Sequence, residues 1–235
     1  MDIRLENLSI GYNKGKAVAT DINIGFRGGD LSCIIGKNGT GKSTLLKTIS
    51  GFLPAMQGTV LFGDKDSATM TRHERSIAVS IVLTGAPDIR NFTVREMVGM
   101  GRSPYTGFFG TLTPADKQVV DESMSMAGVT PLADRKTYTL SDGERQKVMI
   151  ARALAQQTPA ILLDEPTAFL DYPSKVDLIR LLGRLAHEQQ KTIIMSTHDL
   201  ALTVRFADRL FLMSSGSLNP VNADDVKAYI ASCQQ

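Results

Sequence analysis

A glycine-rich stretch directly follows an apolar run near the start of the chain. The apolar run is LSCII, residues 31–35, and the stretch is GKNGTGKS, residues 36–43. Its spacing is G-x-x-x-x-G-K-[ST], in which glycines let the backbone fold around phosphates with its N–H groups pointing inward. A helix that begins near Lys42 adds its positive dipole end. This order of strand, phosphate loop and helix constrains the fold more than any other feature.

We expect this loop to bind a nucleotide; the alternative is a glycine-rich turn without a ligand. Lys42 is expected to reach the β- and γ-phosphates, and the Ser43 hydroxyl to bind Mg²⁺. The predicted nucleotide-binding residues of the loop are Gly36, Lys37, Asn38, Gly39, Thr40, Gly41, Lys42, Ser43 and Thr44.

Short apolar runs alternate with longer amphipathic segments along the rest of the chain. Nearly continuous apolar runs, typical of strands covered on both faces, are found at residues 31–35, 77–83, 160–165 and 192–197. The segments IRLENLSIGY, TDINIGF and TVLFGD alternate apolar and polar residues instead, which favours half-exposed antiparallel strands. The pattern predicts an α/β fold with a P-loop core, a mostly parallel sheet and an N-terminal antiparallel β portion.

Strand signals fade between residues 88 and 155. There, Thr113 and Pro114 open the segment PADKQVVDESMSMAG, which has the cap, the early proline and the closing glycine of a helix. We expect a single domain over residues 1–235. Residues 1–87 and 156–235 would form its nucleotide-binding α/β core, and residues 88–155 an α-helical insert. The tail ADDVKAYIASCQQ predicts one short terminal helix.

Composition argues against several classes of protein. A net charge of +2 is too small to indicate a nucleic-acid partner, so none is expected. Cys33 and Cys233 show neither metal-ligand nor redox spacing, which is typical of a reducing cytoplasm. No window approaches the roughly 18 apolar residues of a membrane span. The segment MDIRLENLSIGY lacks the apolar region of a signal peptide, so we expect a cytoplasmic location.

Two carboxylates end the apolar run AILLDE. Because side chains alternate along a strand, Asp164 and Glu165 are expected to point to opposite sides. Asp164 would hold Mg²⁺ through water, and Glu165 would act as the base towards the attacking water. Without the phosphate loop, the alternative interpretation of Asp164 and Glu165 would be two solvated acids at the end of a strand. His198 follows another core strand in STHDL, where a lone histidine is more often structural.

Taken in order, these motifs resemble the ATP-binding subunits of ABC transporters over nearly the whole chain. The matching elements are Tyr12 as the adenine-stacking aromatic, Gly36 to Thr44, the signature motif at Leu140 to Glu144, the acidic strand at Ile161 to Glu165, the D-loop at Leu170 and Asp171, and His198 as the switch histidine. The resemblance implies that His198 stabilises the γ-phosphate in the reacting state and that Lys42 with Mg²⁺ offsets developing charge. For Tyr12, a core or edge-strand aromatic is the alternative.

The signature stretch LSDGE has two interpretations. Ser141 and Glu144 form an S-x-x-E capping box, and Asp142 suits the helix dipole, which needs no ligand. The resemblance implies instead that Ser141 Oγ and the Gly143 N–H bind the γ-phosphate of ATP held by a second subunit. The usual family sequence is LSGGQ, so Asp142 and Glu144 are departures. We expect both carboxylates to point away from the phosphate, since like charges repel.

A second departure follows the predicted strand at residues 77–83. The family places a glutamine there that reaches Mg²⁺ and water and links the core to the helical insert, whereas this chain has Thr84. A threonine keeps one hydroxyl on a shorter stem. We therefore predict a water-mediated Mg²⁺ contact from Thr84, with altered coupling to the insert.

The cargo class is suggested only by the stretch TVREMVGMGRSPYTGFFGTLTPAD. It resembles ATPases of importers for iron-siderophore, haem and cobalamin compounds, which often carry GR-x-P here; other small-molecule transporters and a plain surface loop are the alternatives. Arg102 and Tyr105 are candidates to dock a helix of a membrane subunit. The implied assembly is a homodimer beneath two transmembrane permease subunits, on the inner face of the cell membrane, served indirectly by a substrate-binding protein.

Two other functional classes remain for comparison. An ATP-driven clamp on nucleic acid or ribosomes usually carries two cassettes or long inserted arms in one chain, and neither feature is present here. A nucleotide-binding regulator without turnover requires the catalytic carboxylate to be missing, whereas Glu165 is present. The sequence thus favours an ATPase that powers transport.

Overall fold

The computed structural model describes residues 1–13, 15–84, 91–107 and 109–232. Cys233 and residues 85–90, which directly follow Thr84, lie outside the described residues. The strands are β1 (Ile3–Asn13), β2 (Lys16–Phe26), β3 (Leu31–Ile35), β4 (Gln57–Phe62), β5 (Lys65–Asp66), β6 (Val79–Val82), β7 (Ala160–Asp164), β8 (Thr192–Ser196), β9 (Arg209–Ser214) and β10 (Ser217–Val221). The α-helices are α1 (Lys42–Ile49), α2 (Arg72–Ala78), α3 (Val94–Gly99), α4 (Pro114–Met126), α5 (Asp142–Ala155), α6 (Tyr172–Gln189), α7 (Leu200–Phe206) and α8 (Ala223–Ser232). Short 3-10 helices cover Ser67–Thr69, Met100–Tyr105, Thr130–Leu132 and Thr137–Thr139.

The larger sheet has the strand order β10-β9-β3-β8-β7-β6. Its neighbours pair in parallel from β9 to β6, and β10 is an antiparallel edge strand. Every residue of β3, β7 and β8 is buried, which explains their continuous apolar sequences. Because parallel strands end at the same edge of a sheet, the residues that follow β3, β6, β7 and β8 meet there.

The smaller sheet has the order β2-β1-β4-β5 and is antiparallel throughout its described pairs. It confirms the prediction of an antiparallel β portion at the N-terminus. An apolar core fills the space between the two sheets and α1. Within it, the rings of Phe26 and Phe211 pack edge to face at a centroid distance of 5.0 Å. This core fixes α1, and with it the end of the phosphate loop, against both sheets.

Helices dominate the described residues between 91 and 155, as predicted. A separate apolar cluster joins α3, α4 and α5. Helix α4 begins as its sequence indicates, since Thr113 Oγ1 accepts a hydrogen bond from the Asp116 N–H and Pro114 occupies the first turn. After its C-terminal end, Gly128 has a left-handed backbone with φ of 67°. In the described part of the chain, no helix is both long and apolar enough to cross a bilayer.

The predicted strand at residues 77–83 is wrong at its start. Helix α2 runs to Ala78, and only Val79–Val82 forms a strand. Helix α2 begins with a capping box. The Thr71 N–H donates to Glu74 Oε2, and the Glu74 N–H donates to Thr71 Oγ1. The capping box fixes the start of α2, and Ile77 and Ala78, the first two apolar residues of the run, form the end of this helix.

The GR-x-P segment has a structural role that contradicts the docking role suggested for Arg102. The Arg102 side chain is buried and donates hydrogen bonds to Asp116 Oδ1, the Ala155 carbonyl and Gln157 Oε1 at 2.8–2.9 Å. The Tyr105 ring lies under its guanidinium, and the Tyr105 hydroxyl donates to the Gln156 carbonyl. The segment therefore joins α4 to the end of α5.

Candidate active site

The phosphate loop connects β3 to α1 and depends on close backbone packing. A Cβ at Gly36 would lie 2.4 Å from the Met213 carbonyl oxygen, and one at Gly41 would lie 2.4 Å from Val18 Cγ1. Gly41 also has φ of 108°, a backbone conformation that favours glycine. The two glycines therefore let the loop lie directly against β9 and β2.

Lys42 is the cation at the centre of the loop. Its side chain is 6% exposed, and Nζ donates to the carbonyls of Gly36 at 2.8 Å and Lys37 at 3.2 Å. Nζ also lies 3.8 Å from Glu165 Oε1. The ammonium group thus stands between the loop backbone and the acidic strand end, where it can meet phosphate oxygens.

Asp164 joins three neighbouring elements at the end of β7. Its Oδ1 accepts hydrogen bonds from Ser43 Oγ at 2.9 Å and from Ser196 Oγ at 2.7 Å. Thr84 Oγ1 donates to the Asp164 carbonyl oxygen at 2.7 Å. The structure thus brings the three predicted metal-binding residues, Ser43, Thr84 and Asp164, to one place.

These oxygen donors fit Mg²⁺. The described residues contain no cluster of three or more histidine, cysteine or acidic side chains arranged to hold a metal by themselves. Mg²⁺ instead favours one or two carboxylates, waters and substrate phosphates. Ser43 and Asp164 supply a hydroxyl and a carboxylate with this chemistry.

Glu165 is not a continuation of strand β7. Its backbone is left-handed, with φ of 50°, and its N–H donates to both Oγ and the carbonyl of Ser196. The strand alternation that we used for Asp164 and Glu165 therefore ends at Asp164. Both carboxylates contact adjacent loop residues, Ser43 and Lys42, and line the same cavity, so the prediction of opposite sides is wrong.

His198 lies next to Glu165. Its Nδ1 is 2.5 Å from Glu165 Oε2, while its side chain remains 63% exposed. An exposed imidazole held at one nitrogen by a carboxylate leaves Nε2 for another hydrogen bond. The geometry is compatible with the γ-phosphate role that the resemblance implied.

A cavity of about 420 Å³ lies over the phosphate loop. Its lining residues are Tyr12, Val18, Asn38, Gly39, Gly41, Lys42, Ser43, Thr44, Thr84, Asp164 and Glu165. Tyr12 is 61% exposed, and its hydroxyl accepts a hydrogen bond from Thr44 Oγ1. Sequence reasoning missed Val18, because it placed the start of the second strand at Thr20. The loop residues Lys37 and Thr40 hydrogen-bond to each other instead of lining this cavity.

The signature motif lies at the start of α5, where the predicted capping box is present. The Ser141 N–H donates to Glu144 Oε2 at 2.8 Å, and the Glu144 N–H donates to Ser141 Oγ at 3.3 Å. The hydrogen bond from the Ser141 backbone is the main reason that the pKa of Glu144 is lowered. Asp142 Oδ1 is 3.5 Å from Arg145. Both acids therefore have partners within their own chain.

A second cavity, of about 500 Å³, separates the signature motif from the D-loop. Its lining includes Ser141 to Glu144 and Phe169 to Asp171, and it shares no residue with the cavity over the phosphate loop. A Cβ at Gly143 would lie 3.1 Å from the Phe169 carbonyl oxygen. Within the described part of one chain, the signature motif and the phosphate loop thus line different cavities.

A phosphate loop after a central parallel strand, with a carboxylate at the end of a nearby strand, defines a P-loop ATPase. Residues 19–168 match the ABC transporter family, and the chain belongs to this family. It is an ABC ATPase.

Several named proteins are similar along most of this chain. An ABC transporter ATP-binding protein of Methanocaldococcus jannaschii is 41% identical over 91% of this chain and 73% of its own length. The iron(3+)-hydroxamate import ATP-binding protein of Bacillus subtilis is 36% identical over 91% and 79%. The cobalamin import ATP-binding protein of Halobacterium salinarum is 38% identical over 89% of this chain and 52% of its own. This chain therefore spans about half of the halobacterial protein.

Solved structures show the same fold. The dimeric structure of a bacterial ABC transporter cassette has a TM-score of 0.84 and 27% identity, and it covers 94% of this chain and 98% of its own. The same values hold for a dimeric, post-hydrolysis cassette bound to ADP and phosphate. These matches confirm the predicted fold, with its mixed sheets and helical insert.

Proposed function

We propose that this chain hydrolyses MgATP to power an ABC importer for iron-siderophore, haem or cobalamin compounds. The observation that carries the ATPase part is the convergence of Lys42, Asp164 and Glu165 on one cavity over the phosphate loop. Lys42 follows strand β3, and Asp164 and Glu165 lie at the end of β7 in the same sheet. For iron(3+)-hydroxamate and cobalamin, the proposal extends to this chain what the relatives' names say of those proteins, and haem rests on the sequence resemblance alone.

The side chains divide the chemistry among them. Lys42 stabilises negative charge on the β- and γ-phosphates, and Tyr12 stacks on the adenine. Glu165 orients or deprotonates the attacking water, and His198 donates a hydrogen bond to the γ-phosphate in the reacting state. Ser43 and Asp164 would hold Mg²⁺, and Thr84 would contribute through water; the ion would supply charge neutralisation of the phosphates.

A second copy of the chain completes the site. The two cavities share no lining residue within one chain, which supports a step in which Ser141 and Gly143 meet ATP bound to another subunit. The similarity to dimeric cassettes supports it as well. Residues 88–155 act as the insert that carries the signature motif, and the rest of the chain as the nucleotide-binding core.

The assembly that we propose is a homodimer on two transmembrane permease subunits, at the cytoplasmic face of the membrane. A substrate-binding protein delivers cargo to the permease. Support comes from relatives named as import ATP-binding proteins for iron(3+)-hydroxamate and cobalamin. Co-purification with a permease from native membranes, followed by reconstituted uptake of ferric siderophore, haem and cobalamin, tests this cargo class. Uptake of none of the three would contradict it.

ATP hydrolysis itself is tested by replacing the loop lysine. We expect Lys42→Met to reduce Mg²⁺-dependent phosphate release by more than about a hundredfold, because charge stabilisation at the transferred phosphoryl group is lost. Lys47→Met, on the same helix but outside the cavity, is the matched control and should retain activity. Equal activities of the two variants would overturn the proposal.

A further inference from the structure

The two additional acids of the signature motif each face an arginine of the same chain. Glu144 Oε1 accepts a hydrogen bond from Arg135 at 3.0 Å, and Asp142 Oδ1 lies 3.5 Å from Arg145. The Glu144 side chain is 31% exposed, against 65% for Asp142. Arg135 is 43% exposed and Arg145 33%, so the shorter distance and the less exposed carboxylate together make the Arg135–Glu144 pair the stronger of the two.

Both carboxylate oxygens of Glu144 are engaged. Oε2 closes the capping box on the Ser141 N–H, and Oε1 binds Arg135. Glu144 lies in the first turn of α5, one residue after Gly143. A negative charge without a cation at this position would repel a phosphate that approaches Ser141 and Gly143.

Arg135 makes further hydrogen bonds in addition to its contact with Glu144. Its guanidinium also donates to the Thr139 carbonyl oxygen at 2.6 Å, in the turn just before the signature motif. Its own carbonyl accepts a hydrogen bond from the Val94 N–H at 3.0 Å, at the start of α3. Arg135 therefore ties the start of α5 to the start of α3 and sets where the signature turn lies.

We propose that Arg135 is a positioning residue for the signature motif, which neutralises Glu144 and orients the capping box so that Ser141 and Gly143 can receive the γ-phosphate of ATP held by a second copy. The inference rests on the proposed ATPase function of a dimer. Its distinctive claim is electrostatic: Arg135 is required because position 144 carries a charge.

A double-mutant cycle tests this claim. Arg135→Met should raise the KM for ATP about fivefold in the wild-type background, with kcat within about twofold, because the unpaired carboxylate opposes ATP-driven closure. In Glu144→Gln, the amide oxygen can still cap the Ser141 N–H without a charge. There, Arg135→Met should change KM by less than about twofold.

Two further variants keep the result interpretable. Arg135→Lys retains a positive charge and should recover most of the wild-type KM, even if Arg135→Met folds poorly. Arg4→Met removes an exposed arginine that pairs with Asp64 at 3.1 Å on the antiparallel sheet, and it should leave KM unchanged. Circular dichroism on each variant separates loss of fold from a change in KM.

Equal rises in KM from Arg135→Met in both backgrounds would overturn the inference, since Arg135 would then act only by holding the Thr139 carbonyl. A wild-type protein that neither hydrolyses ATP nor dimerises would overturn the proposed function as well. If the wild-type protein hydrolyses ATP and dimerises, but Arg135→Met raises KM equally in both backgrounds, only the positioning role of Arg135 is overturned.

Discussion

Single side chains decide how this site departs from the usual ABC pattern. Asp142, Glu144 and Thr84 stand where the family has Gly, Gln and Gln, and each has a hydrogen-bond or ion-pair partner within the chain. These partners explain how the substitutions are accommodated. Asp142 and Glu144 have theirs beside the signature turn, and Thr84 has its partner next to the acidic strand end.

Asp142→Gly should leave the ATPase rate within about threefold of wild type, because an exposed ion pair contributes little. The measurement is steady-state phosphate release at saturating ATP. Asp224→Gly is a matched control, since Asp224 also lies in a first helical turn and pairs with Lys227 three residues on. Loss of most activity in Asp142→Gly alone would show that the carboxylate acts directly on ATP.

Thr84→Gln should raise basal ATPase activity by about twofold or more. The longer glutamine side chain would contact Mg²⁺ and the attacking water directly, whereas Thr84 would contact the ion only through a bridging water. Thr84→Val, which removes the hydrogen bond to the Asp164 carbonyl, serves as the comparison. Rates are measured across a Mg²⁺ titration. If Thr84→Gln alters neither the rate nor the Mg²⁺ dependence, the water-mediated role is wrong.

At the scale of elements, Arg102 holds together the helices between residues 91 and 155. Its guanidinium connects the Met100–Tyr105 segment to α4 and to the end of α5, and the backbone there packs so closely that a Cβ at Gly101 would lie 2.2 Å from the Arg152 carbonyl oxygen. The GR-x-P motif is therefore explained by packing within the chain. It does not by itself indicate a partner or a cargo.

Arg102→Met should lower the urea midpoint of unfolding by about 1 M, because it leaves a buried carboxylate without its cation. Arg95→Met is the matched control, since Arg95 pairs with Asp121 on the same helical region but is about half exposed. The control should shift the midpoint little. A comparable shift in both variants would contradict the role given to Arg102.

How much of the structure the sequence predicts depends on the range of each interaction. The phosphate loop, the buried strands and the capping box of α5 are encoded by neighbouring residues, and all were predictable. The capping box that begins α2 is also encoded by neighbouring residues, but the apolar run at residues 77–83 suggested a strand there. The partners of Arg102 lie up to 55 residues away, so no local pattern reveals them. The left-handed backbone of Glu165 likewise depends on Ser196 of the adjacent strand.

At the scale of the whole molecule, the two cavities have complementary contents. One contains the lysine, the metal-binding oxygens and the catalytic carboxylate, and the other contains the signature residues and the D-loop. The two sets share no lining residue. We therefore propose that ATP is the bridge between two copies of the chain.

Glu165→Gln tests that claim most directly, because it retains ATP binding but removes the base that would end the bound state. Light scattering on this variant with Mg²⁺ and ATP should give twice the 25.5 kDa mass of one chain, and the mass of one chain with ADP. A 25.5 kDa particle with saturating ATP would contradict the account.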